Sequence, residues 1–360
     1  MKIGIGLYHH MLNEGNFIFA KQIGVTHIVA HLTDYFSQEP RLPGTTDAGW
    51  GRTTGNTEVW EIDYLLNLKH QIEAHGLTLH AIENFDPAHW FDVLIGGPKR
   101  DEQLEYLKQI IINLGKAGIP VMGYNFSIAG VWGWEQGPYA RGGAESVGLR
   151  QGNFDFDSPI PNGTIWNMQY DPNAPQGFLP PITHEQLWSN LRYFLEALTP
   201  VAEKAGVILA AHPDDPPMPT MRGHARLVYQ PRYYNQLFDL VPSSFNRAEL
   251  CIGSVAEMTE GNIYEHAADW SKRNKIGYVH LRNVKGKIPH YTEVFIDEGD
   301  VDIKRLLSVF HQNGFDGVVI PDHTPQLNCD APWHSGMAYA IGYIKAMISE
   351  ATKGEMNASQ

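Results

Sequence analysis

The chain has 360 residues, 43% hydrophobic and 19% charged, an ordinary globular composition that suits one large domain or two smaller ones. Its formal charge of −13 leaves no basic stripe for a nucleic-acid backbone, although a small anion can still be drawn to a local pocket. Cys251 and Cys329 are too few for a disulfide framework, and no run of about 18 apolar residues reads as a membrane span.

Residues 3–7 form the first strand-like run, and no leader-like apolar region precedes it, so the expected compartment is the cytoplasm. Phe17, Ala20, Ile23 and Gly24 follow at helical spacing. A β-branched run covers 26–31, and a stretch over 38–55 has loop composition. Asn56 and Thr57 are expected to cap a helix whose apolar positions Ile62, Leu65, Leu66, Leu68 and Ile72 keep the 3.6 period as far as Gly76. The run over 77–82 ends at Glu83 and Asn84. Asp101 opens a helix through Leu104, Leu107, Ile110, Ile111 and Leu114, and the run over 120–124 delivers Asn125.

The segment 127–182 breaks this rhythm. It is long for a connection and too rich in tryptophan (Trp132, Trp134, Trp166) for disorder, so it is expected to fold over a pocket as a lid or onto another copy in a homo-oligomer. Alternation then resumes. A helix from Thr183 or His184 to Ala205, with Pro200 as a kink point, leads to a buried-strand pattern ending at His212. A helix over 233–240 precedes a run ending at Cys251. A helix over 262–273 precedes a run ending at His280. A helix capped at Asp300/Val301 and carrying Leu306, Leu307 and Phe310 precedes a run ending at Asp322 and His323. A last helix over 335–348 leads to a polar tail, 352–360.

Eight strand-like runs alternating with eight helices imply a parallel sheet, and eight units that close imply an α/β fold of the (β/α)8 TIM barrel type. It would form a single domain over 1–351, with 127–182 inserted after the fourth strand. An open doubly wound sheet would leave the polar strand ends unexplained, and no Gly-x-Gly-x-x-Gly follows the first strand. In a barrel those ends share one face, which would gather Tyr8, His9, His31, Glu83, Asn125, His212, Cys251, His280 and Asp322.

His212, Cys251, His280 and Asp322 are all transition-metal ligands at successive strand ends. Thiolate and imidazole favour Zn²⁺ or Fe²⁺, and the carboxylate admits Mn²⁺. Such a cation can polarise a carboxylate or hydroxyl oxygen of a substrate, which then requires an acid/base nearby. His323 is the first candidate and Tyr339 the second. Arg282, two residues beyond His280, is placed to clamp a substrate carboxylate in two-pronged fashion. Arg222 and Arg226 are placed to reach an anion. Asp214 and Asp215 would order their loop or support the ligands from behind. Trp132 and Trp134 suit stacking on a sugar face or packing.

His212-Pro213-Asp214-Asp215-Pro216-Pro217, Cys251-Ile252-Gly253-Ser254, His280-Leu281-Arg282, Gly299-Asp300-Val301-Asp302 and Pro321-Asp322-His323 resemble, in order and spacing, the mannonate dehydratase family. Val59-Trp60 and Tyr124-Asn125-Phe126 are also similar. The resemblance implies a xylose-isomerase-like barrel, a divalent metal, Mn²⁺ or Fe²⁺, and loss of water from D-mannonate to give 2-dehydro-3-deoxy-D-gluconate in hexuronate breakdown. It implies His212, Cys251, His280 and Asp322 as ligands and His323 as acid/base. Three segments depart from the family pattern: Gly6-Leu7-Tyr8-His9-His10, Thr324-Pro325, and the region of Met337, Ala338 and Tyr339. All three would face the substrate, where Asn125 and His9 also fall. The alternatives are a sugar isomerase, epimerase or keto-glycoside lyase on the same barrel, and a non-catalytic barrel that binds a sugar acid.

Overall fold

The computed structural model describes residues 1–36, 51–150, 152 and 155–353. Eight parallel strands close a ring in chain order: β1 (Lys2–Leu7), β2 (His27–Ala30), β3 (Thr78–Glu83), β4 (Val121–Tyr124), β5 (Ile208–Ala211), β6 (Asn246–Cys251), β7 (Ile276–His280) and β8 (Val318–Ile320). β1 meets β2 on one edge and β8 on the other, which shuts the barrel. The period of two explains both faces. Val29, Ala81, Val121, Ala210, Tyr278 and Val318 point inward and fill the ring. Their neighbours Ile28, Ile82, Met122, Leu209, Val279 and Val319 join the larger core under the helices.

The helices are α1 (Glu14–Gln22), α2 (Ile62–Ala74), α3 (Phe91–Ile95), α4 (Arg100–Ala117), α5 (His184–Ala205), α6 (Arg232–Leu240), α7 (Ile252–Glu257), α8 (Ile263–Lys272), α9 (Ile303–Gln312) and α10 (Pro332–Lys353). α5 opens on a reciprocal pair of Thr183 and Gln186 and runs on through Pro200. Gly118 and Gly206 end α4 and α5 at φ of 69° and 73°, the left-handed conformation that glycine adopts without strain.

Several boundaries differ from expectation. Asn56 caps the short turn Glu58–Trp60 through a 2.9 Å bond from the Glu58 N–H, and α2 starts only at Ile62. Asp302 caps α9 by accepting from the Arg305 N–H at 2.9 Å, whereas Asp300 accepts from Gly286. α10 takes in residues expected in the tail. Most of the 38–55 loop and residues 354–360 lie outside the described residues.

No strand is expected between His280 and Asp300, yet a hairpin of Asn283–Lys287 and His290–Val294 stands there, turning at Ile288-Pro289. Within the 127–182 insertion, Trp134–Ala140 pairs with Ala144–Arg150, which pairs in turn with His290–Val294. The result is one four-stranded antiparallel sheet built from the loops after β4 and β7. Both loops leave the C-terminal ends of their strands, so the sheet stands on the face expected to hold the site. Among the described residues, no helix is long and apolar enough to cross a membrane.

Candidate active site

The four expected ligands converge. Cys251 and His280 end β6 and β7, His212 directly follows β5, and Asp322 stands just beyond β8. Ligand atoms of His212, Cys251 and His280 all lie within 4.8 Å of one another. Asp322 places Oδ2 4.0 Å from Cys251 Sγ and Oδ1 3.6 Å from His280 Nδ1. His280 Nδ1 is buried and has no hydrogen-bond partner. His212 Nδ1 lies 2.6 Å from the Pro213 carbonyl, which makes it the donor, and the same side chain bonds to Cys251. One imidazole nitrogen from each ring, a sulfur and a carboxylate fit a divalent transition metal. Burial raises the Cys251 pKa, but Arg282, His212 and His280 more than offset this and bring it to about 5, so the sulfur is a thiolate at neutral pH. Burial likewise opposes charge on Asp322, and His323, His280 and Arg282 hold its carboxyl well below the usual range.

Arg282 does something other than expected. It is 3% exposed, and every nitrogen of its guanidinium is taken up within the protein. Nε donates to Asp322 at 3.1 Å, Nη1 to Glu257 at 2.8 Å with Glu293 at 2.9 Å, and Nη2 to Asp215 and Ser254. A hub of four carboxylates is neither a surface ion pair nor a free clamp for substrate. Gly253 makes room for it, because a Cβ there would come within 2.6 Å of the Arg282 side chain. Arg222 and Arg226 are also spent internally. Arg222 donates to the carbonyls of Ser158 and Pro159 at 3.0 and 2.9 Å and lies 4.0 Å over the Trp132 ring. Trp132 therefore packs against a cation. Arg226 pairs with Asp214 at 3.0 Å and donates to Gly130 and Asp215 carbonyls. Asp214 also accepts from the N–H groups of Leu227 and Val228, so it orders the loop, while Asp215 reaches the Arg282 hub.

His323 Nδ1 lies 2.7 Å from Glu293 Oε2, and its Nε2 lies 3.5 Å from Asp322 Oδ2. Burial disfavours charge on this ring, but Glu293 and Asp322 more than compensate and raise its pKa to about 9. A cleft of about 140 Å³ opens beside it, lined by Gln136, Ser146, Thr324 and Gln326 together with Glu145 and Glu293. Trp134 stands 5.7 Å from the His323 ring and donates to the Tyr291 hydroxyl at 2.8 Å. Asn125 Nδ2 is 3.5 Å from His212 Nδ1. His9 lies on the rim, 3.9 Å from Asp34. Tyr339 is a correction: it is 41% exposed on α10 and its hydroxyl accepts from Arg141 at 3.2 Å, within an Arg141–Asp297 pair. Its helix turns it toward the outer sheet rather than toward the ligands.

Sequence reasoning missed Glu293, Glu249 and Tyr278. Glu293 belongs to the unexpected hairpin. Glu249 stands two residues before Cys251, and Tyr278 two before His280, so the period of two puts each on the inward face with its ligand. That signal was available. Below the ligands, Glu83 Oε2 accepts from the Tyr278 hydroxyl at 3.1 Å and lies 3.2 Å from His280 Nε2 and 3.7 Å from His31 Nε2. Burial works against ionisation of Glu83, yet His31 and His280 outweigh it and bring its pKa to about 2. Glu249, 3.3 Å from the same His280 nitrogen, is pushed up to about 8 by burial and by Glu83.

Comparison with known proteins now bears on this geometry. A family model described as D-mannonate dehydratase (UxuA) matches residues 21–149 and 178–357. The chain is 30% identical over 301 residues to mannonate dehydratase 2 of Halalkalibacterium halodurans, covering 81% of this chain and 86% of that one. It is 33% identical over 290 residues to the mannonate dehydratase of Lactococcus lactis subsp. cremoris, covering 74% and 79%. The crystal structure of mannonate dehydratase from Streptococcus suis serotype 2 superposes with a TM-score of 0.77 at 26% identity, over 99% of this chain and 94% of that one. An L-ribulose 3-epimerase structure, at 14% identity and a TM-score of 0.60, shares the fold over 100% and 99% of the two chains.

Proposed function

The chain belongs to the mannonate dehydratase family, and on that footing we propose how its own residues carry the loss of water from D-mannonate to 2-dehydro-3-deoxy-D-gluconate. The activity is that of a carbon–oxygen lyase, and the family is metal dependent. His212, Cys251, His280 and Asp322 would hold the cation, Mn²⁺ or Fe²⁺, with Zn²⁺ also compatible with the donor set. When bound, such a cation supplies Lewis-acid polarisation of a substrate oxygen. The reaction removes the C2 proton, breaks the C3–O bond, takes up a proton on the departing hydroxyl, and leaves an enol that tautomerises to the 2-keto acid.

His323 does the acid/base work in this reading. Glu293 accepts from its Nδ1 at 2.7 Å and so fixes the ring, which leaves Nε2 as the atom that holds or moves a proton. Asp322, 3.5 Å from that nitrogen, ties the proton-transfer site to the ligand set. Around His323 the adjoining cleft offers Gln136, Ser146, Thr324 and Gln326 as well as the carboxylates of Glu145 and Glu293, a set of hydrogen-bonding groups that suits the hydroxylated end of the sugar acid. Asn125, beside His212, and His9, on the rim, are proposed as further substrate contacts. Arg282 and Arg222 are assigned to holding the site together, and Tyr339 receives no catalytic role.

The observation that carries this reading is the meeting of His212, Cys251, His280 and Asp322 around a buried, unpartnered His280 Nδ1. The test is incubation of the purified protein with D-mannonate after loading with Mn²⁺, Fe²⁺ or Zn²⁺. A 2-keto-3-deoxy acid that forms only with metal is expected. Absence of product with every cation would remove this substrate.

A further inference from the structure

Two carboxylates lie on the far side of His280 from the other ligands. Glu83 Oε2 is 3.2 Å from His280 Nε2, and Glu249 Oε1 is 3.3 Å from the same nitrogen. All three side chains are buried, with Glu249 fully enclosed. The Tyr278 hydroxyl donates to Glu83 at 3.1 Å and fixes that carboxylate from the strand that also carries His280. The other ring nitrogen, Nδ1, faces Asp322 at 3.6 Å and accepts no hydrogen bond. Glu83 Oε2 already accepts from the Tyr278 hydroxyl, so it faces the His280 Nε2 as an acceptor and the ring nitrogen is the donor. The barrel interior is shaped for this arrangement. A Cβ on Gly123 of β4 would collide with Glu249 Oε2 and the Tyr278 hydroxyl, so this glycine leaves the space that the acid and the phenol fill.

We propose that Glu83, braced by Tyr278 and backed by Glu249, is a positioning residue that holds the His280 proton on Nε2 and thereby presents Nδ1 to the cation. The inference rests on His280 being a ligand and adds which atom binds and what selects it. A buried carboxylate behind a ligating imidazole fixes the ring and raises its donor strength, and losing such a partner costs about 10–100-fold in metal affinity.

The experiment titrates the full-length protein with Co²⁺ and follows the thiolate-to-cobalt absorption. Wild type, Glu83→Gln, Glu83→Ala and Cys251→Ser are compared, with circular dichroism as the folding check. Wild type should bind one Co²⁺ per chain with the thiolate band, and Cys251→Ser should lose that band. Failure of the wild type to do so would sink the ligand set itself. Given wild-type binding, Glu83→Ala should lose about 10–100-fold in affinity. Glu83→Gln, which has nearly the same shape and keeps an acceptor oxygen, should fall between the two. Nitrogen NMR of histidine-labelled, Zn²⁺-loaded wild type should show the metal on His280 Nδ1 and the proton on Nε2. Unchanged affinity in folded Glu83 variants, metal on Nε2, or a second bound Co²⁺ that vanishes with Glu83 would each overturn the assignment.

Discussion

His323 owes its orientation to Glu293, which arrives on a separate hairpin, so the proposed proton-transfer residue and its partner are set by different parts of the chain. Replacing His323 by Ala is expected to lower kcat by about 10²–10⁴ while leaving Co²⁺ affinity nearly unchanged, because it removes proton transfer and no ligand. Steady-state assay and cobalt titration on the same variant check this. Arg282 is the opposite kind of residue. Its loss strands Asp215, Glu257, Glu293 and Asp322 without their shared cation in a buried place. Arg282→Ala should therefore destabilise the fold by about 3–5 kcal/mol, as uncompensated buried charge does, read as a shift of the urea midpoint. The four proposed ligands could be picked out in the sequence because each ends an apolar run. Glu293 was not, since a lone glutamate in a polar segment has no signature. Arg282 was seen but misassigned, because sequence shows a guanidinium and not the carboxylates that folding brings to it.

Strand and helix alternation was readable because each barrel strand is buried on both faces and each long helix carries one apolar side. The hairpin after β7 was not. Lys285-Gly286-Lys287-Ile288-Pro289-His290 has the composition of a loop, and the outer edge of its second strand is paired by Ala144–Arg150, far away in the chain. The insertion after β4 and this hairpin thus form one element of tertiary origin, which no local pattern specifies. On β4, Gly123 leaves room for the groups behind His280. Gly123→Ala places a methyl group against Glu249 and Tyr278. It should cost about 1–3 kcal/mol from overpacking, measured by urea denaturation, and should weaken Co²⁺ binding by disturbing the support of His280.

At the scale of the whole barrel, burial of neutral histidines makes stability depend on pH. Burial, with His27 and Lys2 nearby, lowers His80 from 6.5 to about 4, and burial, with Arg222, does the same to His224. Below pH 6.5 the unfolded chain binds protons that the folded chain resists, so their contribution is complete above 6.5 and is lost as pH falls toward 4. Urea midpoints should fall across that window, and His80→Gln should flatten the fall. The closed ring itself matters most for what it brings together: residues distant in the chain meet only because β5, β6, β7 and β8 are consecutive staves. The most direct test is X-ray absorption at the zinc edge on Zn²⁺-loaded protein. One sulfur at about 2.3 Å and two imidazole nitrogens at about 2.0–2.1 Å are expected, with the sulfur shell absent in Cys251→Ser. A shell of oxygen alone, the same in both proteins, would contradict a cation held by these four strand ends.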